Sequence, residues 1–159
     1  MSKVKAKPDG YHTVTPHINV RAADRAIEFY KRAFGAEERF RMPGPDGKLM
    51  HAEIQIGDSI VMLAEEMPDM GSTSPATLDG TAGSLMLYVD DCDALFKRAI
   101  EVGATSNMPP QDMFWGDRYA RLTDPFGHQW AIATHKEDLT PEQIAERQDA
   151  WSRSRPSKR

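Results

Sequence analysis

With 159 residues, 40% of them hydrophobic, and a formal net charge of −4, the chain can bury one core, and its acidic balance argues against nucleic acid as a partner. The N-terminus, MSKVKAKPDG, lacks the apolar core of a signal peptide, and no apolar run approaches the roughly 20 residues of a membrane-spanning helix, so we expect a cytoplasmic protein without a membrane partner. Cys92 is the single cysteine, which excludes an internal disulfide and a cysteine-based zinc cluster.

The first predicted element is a polar N-terminal tail, residues 1–13, which we expect to be flexible. Residues 14–21 then alternate between apolar and polar side chains, as in a strand with one buried face. Asp24 is placed to cap the helix that follows, and Gly35 is its predicted end. The apolar residues at helical spacing between them are Ile27, Tyr30 and Phe34.

Three further strands complete this unit. Residues 37–42 and 49–56 predict a hairpin around a Pro-Gly-Pro-Asp-Gly turn, and residues 59–64 predict a fourth strand. Residues 14–65 therefore form a first βαβββ module.

The connection and the second module follow. Residues 66–82 are rich in Pro, Gly, Ser, Thr and Met and predict an irregular connection that could act as a lid or a dimer contact. Residues 83–135 repeat the earlier order: a strand, an acidic cap at Asp90 and Asp91, a helix ending at Gly103, and three more strands. Residues 107–115 within this module read as an irregular loop.

The C-terminal region, residues 136–159, predicts a helix and a basic tail. Thr140, Pro141 and Gln143 form a capping box with proline at the first helical position, and the helix runs to about Trp151. The basic residues of the two chain ends are expected to be solvated rather than bound to a partner. They are Lys3, Lys5, Lys7, Arg153, Arg155, Lys158 and Arg159.

The two modules look like one supersecondary unit written twice. The matching apolar pairs, all 69 positions apart, are Ile18 and Leu87, Val20 and Val89, Val61 and Trp130, and Leu63 and Ile132. Neither half could close a core alone, so the duplication predicts matched sheets with a cleft between them. The predicted fold class is α+β: two βαβββ modules forming a cup-shaped mixed sheet, with a C-terminal helix.

Three motifs resemble a known family. They are AIEFY at 26–30 before Phe34 and Gly35, FWGDRY at 114–119, and DPFGH at 124–128. The chain resembles the vicinal oxygen chelate superfamily, which includes glyoxalase I, ring-cleaving dioxygenases, fosfomycin-resistance enzymes and bleomycin-binding proteins, and within it the PhnB-like branch. The resemblance covers residues 14–135 and implies paired modules forming a cup, commonly in a homodimer.

The resemblance also locates the positions that hold a divalent metal in the metal-dependent members. In this chain they are Thr15, Met62, Ser84 and Ala131. None of these side chains is an imidazole or a carboxylate, the ligands that such an ion needs. We therefore predict no metal and no cofactor at the inherited site.

A displaced metal site is the alternative. His17 lies on the first strand, and His51 and Glu53 share one face of the third. The fold places the fourth strand between them, which separates the two strands by about 10 Å and makes metal bonds of about 2 Å hard to reach. His12, His128 and His135 lie near turns or strand ends and read as surface or capping residues.

Period-two alternation assigns a polar and aromatic set to the inside of the cup. The predicted ligand-binding residues are His17, Asn19, His51, Glu53, Gln55, Tyr88, Trp115, Tyr119 and Arg121. Tyr and Trp suit a small aromatic or conjugated ligand, and Arg121 suits a carboxylate or phosphonate. Glu53 and Arg121 could instead simply pair with each other across the cup.

Two functions remain open. The first is a metal-free, small-molecule-binding protein of the bleomycin-resistance type. The alternative is a lyase, isomerase or oxygenase that uses the displaced set of His17, His51 and Glu53. Methyl transfer lacks support because the chain has no Gly-rich strand-to-helix turn, and nucleophilic catalysis lacks a Gly-x-Ser-x-Gly motif.

Overall fold

The computed structural model describes residues 4–154, which form two βαβββ modules and a C-terminal helix. The first module consists of β1 (His17–Val20), α1 (Ala23–Phe34), β2 (Glu37–Pro43), β3 (Leu49–Ile56) and β4 (Ser59–Glu65). The connection contains a 3-10 turn (Pro68–Met70) and the short helix α2 (Pro75–Leu78). The second module consists of β5 (Ser84–Tyr88), α3 (Cys92–Glu101), β6 (Thr105–Asp112), β7 (Asp117–Thr123) and β8 (Gln129–His135), and α4 (Pro141–Ser154) follows. The predicted fold class is confirmed.

Each module builds its own four-stranded mixed sheet. The strand orders are β1-β4-β3-β2 and β5-β8-β7-β6, with one parallel pair in each sheet. Ile18 lies opposite Leu63 in the first sheet, and Leu87 lies opposite Ile132 in the second. Leu87 lies 69 positions after Ile18, and Ile132 lies 69 positions after Leu63. The duplication predicted from sequence is therefore also present in the strand register.

One core is shared by the two modules. The indole of Trp130, on β8, is 1% exposed and packs against Phe34 of α1 with ring centroids 4.8 Å apart. Asp124 accepts hydrogen bonds from the Tyr30 hydroxyl at 2.7 Å and from the Trp130 indole at 2.9 Å. Helices α1 and α3 also contact each other. Each of these helices also contacts the sheet of its own module, so the core lies on the helix-covered sides of the two sheets and their polar faces lie on the opposite sides.

The cap of α1 differs from the prediction. Asp24 lies in the first turn, while the carboxylate of Glu65 accepts from the backbone N–H groups of Ala22 at 2.9 Å and Ala23 at 2.8 Å. Parallel pairing of β1 with β4 brings the end of β4 beside the start of the helix, which is why a distant residue provides the cap. The predicted acidic cap of α3 is confirmed, because Asp91 accepts from Ala94 N–H at 2.9 Å.

Two predicted backbone segments are corrected. Strand β1 begins at His17 rather than at position 14, since Pro16 has no N–H to donate and Val14 is 83% exposed. Residues 107–112 are part of β6 rather than an irregular loop. The two prolines of β6 are tolerated because β6 is an edge strand whose pairing with β7 shifts register on both sides of Met108.

The connection and the C-terminal helix are held by local polar contacts. Glu66 accepts from the Thr77 hydroxyl at 2.8 Å, from Arg21 Nε at 2.6 Å and from the backbone N–H of Ser74 at 2.9 Å. These bonds, that from Thr77 first, lower the pKa of Glu66 to about 2. The capping box of α4 is confirmed: Thr140 N–H donates to Gln143 Oε1 at 2.9 Å, and Gln143 N–H donates to Thr140 Oγ1 at 3.3 Å.

Some of the predictions concern residues at the ends of the chain. Lys3 and the basic residues Arg155, Lys158 and Arg159 lie outside the described residues. Between positions 4 and 154, no helix combines the length and the apolar character needed to cross a membrane.

Candidate functional site: two polar sheet faces

The predicted ligand-binding residues lie on the sheet faces that point away from the shared core. The first polar face, formed by β1, β3 and β4, carries His17, Asn19, His51, Glu53, Gln55 and Met62. The second polar face, formed by β5, β7 and β8, carries Ser84, Met86, Tyr88, Tyr119, Arg121 and Gln129. Buried residues alternate with more exposed ones along β1, along β3 from Ala52 and along β7 from Ala120, as a period of two predicts, whereas β4 and β8 contain consecutive buried residues.

A cluster of ionisable side chains occupies the first polar face. Glu53 accepts a short hydrogen bond from the Tyr11 hydroxyl and a second bond from His51 Nε2 at 3.2 Å. The rings of His17 and His51 are nearly parallel, with centroids 6.0 Å apart, and Phe40 lies 6.1 Å from His51. Sequence reasoning missed Tyr11, because a tail residue carries no period that would assign it to a sheet face.

The pKa values in this cluster follow from its contacts. Burial alone would raise the pKa of Glu53, but the hydrogen bonds from Tyr11 and His51 outweigh it and the pKa is lowered. Burial, with the charge of His51 as a smaller cause, lowers the pKa of His17. At neutral pH the cluster therefore holds an anionic carboxylate next to a neutral His17.

The two histidines lie closer together than the strand spacing suggests. Strand β4 separates β1 from β3 as predicted, but the two side chains lean together so that their ring centroids are 6.0 Å apart rather than about 10 Å. Even so, the described part of the chain contains no group of three His, Cys, Asp or Glu side chains that could hold a metal ion.

The positions that the family resemblance assigns to a divalent metal carry side chains that do not fit one. Thr15 donates its hydroxyl to the carbonyl of His12 at 2.9 Å, and Met62 offers only a neutral thioether. Ser84 offers one neutral hydroxyl, and Ala131, which is buried, offers no donor atom. This donor set contrasts with the imidazole and carboxylate groups of proteins that bind such ions.

Asp117 organises the edge of the second polar face. This carboxylate is 4% exposed and accepts from Trp115 Nε1 at 3.1 Å, the Tyr88 hydroxyl at 3.2 Å and His135 Nδ1 at 2.8 Å. Trp115 in turn packs edge-to-face on Tyr119, with centroids 5.4 Å apart. Two of the predicted ligand-binding residues, Tyr88 and Trp115, are thus held by an aspartate that sequence reasoning did not single out, and Tyr119 packs on Trp115.

His135, which lies next to Asp117, is protonated more readily than an ordinary histidine. Nε2 of His135 donates to Asp138 at 3.0 Å while Nδ1 donates to Asp117, and both nitrogens can donate only in the imidazolium form. The two carboxylates therefore raise the pKa of His135. Burial and the neighbouring charge of Asp117 likewise raise the pKa of Tyr88.

Arg121 and Glu53 do not form the pair that the sequence allowed. Arg121 donates to Gln129 at 2.9 Å, whereas Glu53 is bonded to Tyr11 and His51, and no ion pair joins Arg121 to Glu53 within residues 4–154. The two residues lie on the polar faces of different sheets. Arg121 is exposed and retains donors for a ligand.

A groove of about 630 Å³ runs between the modules at the edges of both polar faces. His17 and Asn19 line it together with Gln129, and His128 closes one side by donating to the Asn19 carbonyl at 2.9 Å. The buried side-chain oxygen of Asn19 has no hydrogen-bond partner among the described residues. A larger groove of about 810 Å³ contains Tyr88 but none of the other predicted ligand-binding residues.

Cys92 does not take part in this chemistry. Its thiol is buried and donates to the carbonyl of Ile132 at 3.4 Å. Burial first, and the nearby charge of Asp93 second, raise its pKa to about 11. The thiolate, which is the reactive form, is therefore scarce at neutral pH.

Most of the chain is similar in sequence to known proteins. The model of the Glyoxalase/Bleomycin resistance protein/Dioxygenase superfamily matches residues 11–132. An uncharacterized protein of Mycobacterium bovis is 42% identical over 134 residues, which are 82% of this chain and 88% of that protein.

Solved structures show the same fold. The crystal structure of TioX from Micromonospora sp. ML1 has a TM-score of 0.61 and 28% identity, and the match covers 81% of this chain and all of TioX. A Bacillus cereus PhnB protein, described as a putative 3-demethylubiquinone-9 3-methyltransferase, has a TM-score of 0.61 at 17% identity, covering 77% of this chain and 99% of that one. At 17% identity, the likeness to the PhnB protein concerns the fold alone.

Proposed function

The chain belongs to the Glyoxalase/Bleomycin resistance protein/Dioxygenase superfamily, and on that premise we propose that it is a metal-free protein that binds a small organic molecule on its polar sheet faces. The observation that carries the proposal is the replacement of the family's metal ligands by Thr15, Met62, Ser84 and Ala131. Placement in the PhnB-like branch and in the cytoplasm is part of the same proposal.

The chemistry of the second polar face supports an organic ligand. Trp115 and Tyr88 are held by the same buried carboxylate, so flat apolar surfaces with polar tips are ordered before a ligand arrives. Arg121 lies on the same face and can pair with an anionic group of the ligand.

The first experiment for this proposal is native mass spectrometry of protein purified without chelator. The bare protein mass, or an organic adduct, would support it, and the adduct's mass would give a first clue to the ligand. Arg121→Ala and Tyr119→Ala should then weaken uptake of that ligand. Arg147→Ala is the control, because Arg147 pairs with Glu137 outside both polar faces.

A metal-dependent lyase, isomerase or oxygenase is the second candidate. It is favoured by the 6.0 Å distance between the His17 and His51 rings and by the contact of His51 with Glu53, since two imidazoles and a carboxylate are an adequate donor set. Nickel or zinc should then raise the melting temperature by several degrees, chelator should reverse the gain, and His51→Ala should abolish it. That result, or one divalent ion per protomer in the mass spectrum, would contradict the metal-free proposal.

The proposal includes a homodimer, with neither nucleic acid nor a membrane as a partner. Support comes from the exposure of the second polar face: Tyr88 is 65% exposed and Met86 is 44% exposed, which leaves large side chains for a second copy to cover. Light scattering coupled to size-exclusion chromatography measures the assembly. A monomer at micromolar concentration would contradict this part of the proposal.

A further inference from the structure

The N-terminal arm, residues 4–15, makes one hydrogen bond to the rest of the described residues, and its His12 and Val14 line the larger groove together with Ile60 and Met86. The bonds from Lys5 to Asp9 and from Lys7 to the Tyr11 carbonyl are internal to the arm and exposed. Within the described residues, the one hydrogen bond that leaves the arm runs from the Tyr11 hydroxyl to Glu53. The arm contains no helix or strand, so little backbone structure would be lost if it moved away.

The place that Tyr11 occupies has the features of a binding site for a hydroxyl group. The Glu53 side chain is 14% exposed and that of His51 is 24% exposed, so the carboxylate is largely shielded from water. Its second oxygen is already bonded to His51, which keeps the carboxylate oriented. The nearby rings of His17 and Phe40 provide flat surface beside it.

We propose that this place binds a neutral hydroxyaromatic molecule, whose hydroxyl donates to Glu53 in place of Tyr11, and that Tyr11 is a built-in competitor for it. The inference rests on the proposed function and names the class of ligand for the first polar face. The phenol of Tyr11 shows that a hydroxyl on an aromatic ring can reach Glu53 with hydrogen-bonding geometry.

Charge narrows the class of ligand. Glu53 accepts hydrogen bonds from both Tyr11 and His51, so this carboxylate presents acceptor oxygens to a ligand. A hydroxyl can donate to these oxygens, whereas a carboxylate or phosphate placed here would be repelled by them. The charge of Arg39 also acts on Glu53, but Arg39 already donates to Gln55. The first polar face should therefore accept phenols and reject aromatic acids.

Competition by Tyr11 has a measurable consequence. When the binding-competent state is only partly populated, the apparent dissociation constant is raised by the inverse of that population. Removing the Tyr11 side chain leaves Glu53 always available to a ligand. The lost bond between Tyr11 and Glu53 is a hydrogen bond to a charged group, which is among the stronger kinds, so we expect the affinity of the protein for a phenol to rise about tenfold.

The experiment uses three small probes that differ in one group: p-cresol, toluene and 4-methylbenzoate. Each is titrated into the full-length wild-type protein and Tyr11→Ala, with binding followed by NMR. We expect Tyr11→Ala to bind p-cresol about tenfold more tightly than wild type, and to show no such gain for toluene or 4-methylbenzoate. Adding Glu53→Met to Tyr11→Ala should remove the gain, since the acceptor is then absent.

Controls make the outcome decisive. Arg147→Ala removes an exposed pair with Glu137 outside both polar faces and should leave p-cresol binding unchanged. If Tyr11→Ala does not fold, Tyr11→Phe removes the same hydrogen bond and keeps the ring. Equal p-cresol affinity in wild type and the Tyr11 variant, or an equal gain for toluene, would overturn the inference.

Failure of this inference can be told apart from failure of the proposed function. A ligand whose binding depends on Arg121 and not on Tyr11 would overturn the inference and leave the proposed function in place. A metal-loaded protein whose melting temperature depends on His51 would instead remove the proposed function.

Discussion

The two polar faces share a strand register but carry different chemistry. The first polar face gathers His17, His51 and Glu53, whereas the second gathers Tyr and Trp side chains around Asp117, with Arg121 nearby. Strand pairing requires only the backbone and the alternate, core-facing side chains. A duplicated module can therefore keep its fold while the outward-facing residues diverge, and the two faces need not serve the same ligand.

The largest expected effect is on the free energy of unfolding, when matching core positions of the two modules are substituted. Trp130→Ala should lower the free energy of unfolding by about 3–5 kcal/mol, because it removes a large ring packed between the modules. Val61, the counterpart of Trp130, is 4% exposed, and Val61→Ala removes far less volume and should cost about 1–3 kcal/mol. Chemical denaturation measures both. Equal losses would show that the shared core does not depend on the second module's indole.

The next comparison concerns the helix caps. Glu65→Ala removes an acceptor for two backbone N–H groups at the start of α1 and should cost about 1–2 kcal/mol, while Asp91→Ala removes one acceptor from α3 and should cost about 0.5–1 kcal/mol. Asp24→Ala is the matched control, since the Asp24 side chain makes no cap hydrogen bond. A larger loss in Asp24→Ala than in Glu65→Ala would contradict the assignment of the cap.

The smallest expected effect is a difference in pKa between His135 of the second module and His17 of the first. His135 should titrate above its usual pKa, because it donates to Asp138 and Asp117, and His17 should titrate below it, because it is partly buried next to His51. NMR of the imidazole nitrogens measures both values. The reverse order, with His17 more basic than His135, would contradict the contacts described for these two residues.

These shifts have opposite consequences for stability. The raised pKa of His135 stabilises the fold at pH values below the ordinary histidine pKa, and this stabilisation is lost as pH rises through the raised value. His135→Gln should therefore be most harmful near pH 5. The lowered pKa of His17 has the opposite sign, because acid favours the unfolded state, so His17→Gln should reduce the loss of stability on acidification. Melting curves across pH 5–8 test both variants.

Much of the first polar face could be predicted from sequence because it depends on local alternation. His17 and Asn19, and likewise His51, Glu53 and Gln55, are two positions apart on strands, so a period of two assigns them to one side. The contact between Tyr11 and Glu53 could not be predicted, since it joins residues 42 positions apart and starts from a segment without any period. The distance between the His17 and His51 rings also depends on side-chain tilt, which strand spacing does not determine.

The sequence by itself determined the order of elements, the duplication with its register of 69, the capping box of α4 and the acidic cap of α3, because each depends on residues a few positions apart or on an exact repeat. Only the tertiary structure decided that Glu65 caps α1, that Asp117 holds Trp115, and that the modules share one core. These contacts depend on how strands pair and how side chains pack once the chain is folded, so no local pattern specifies them.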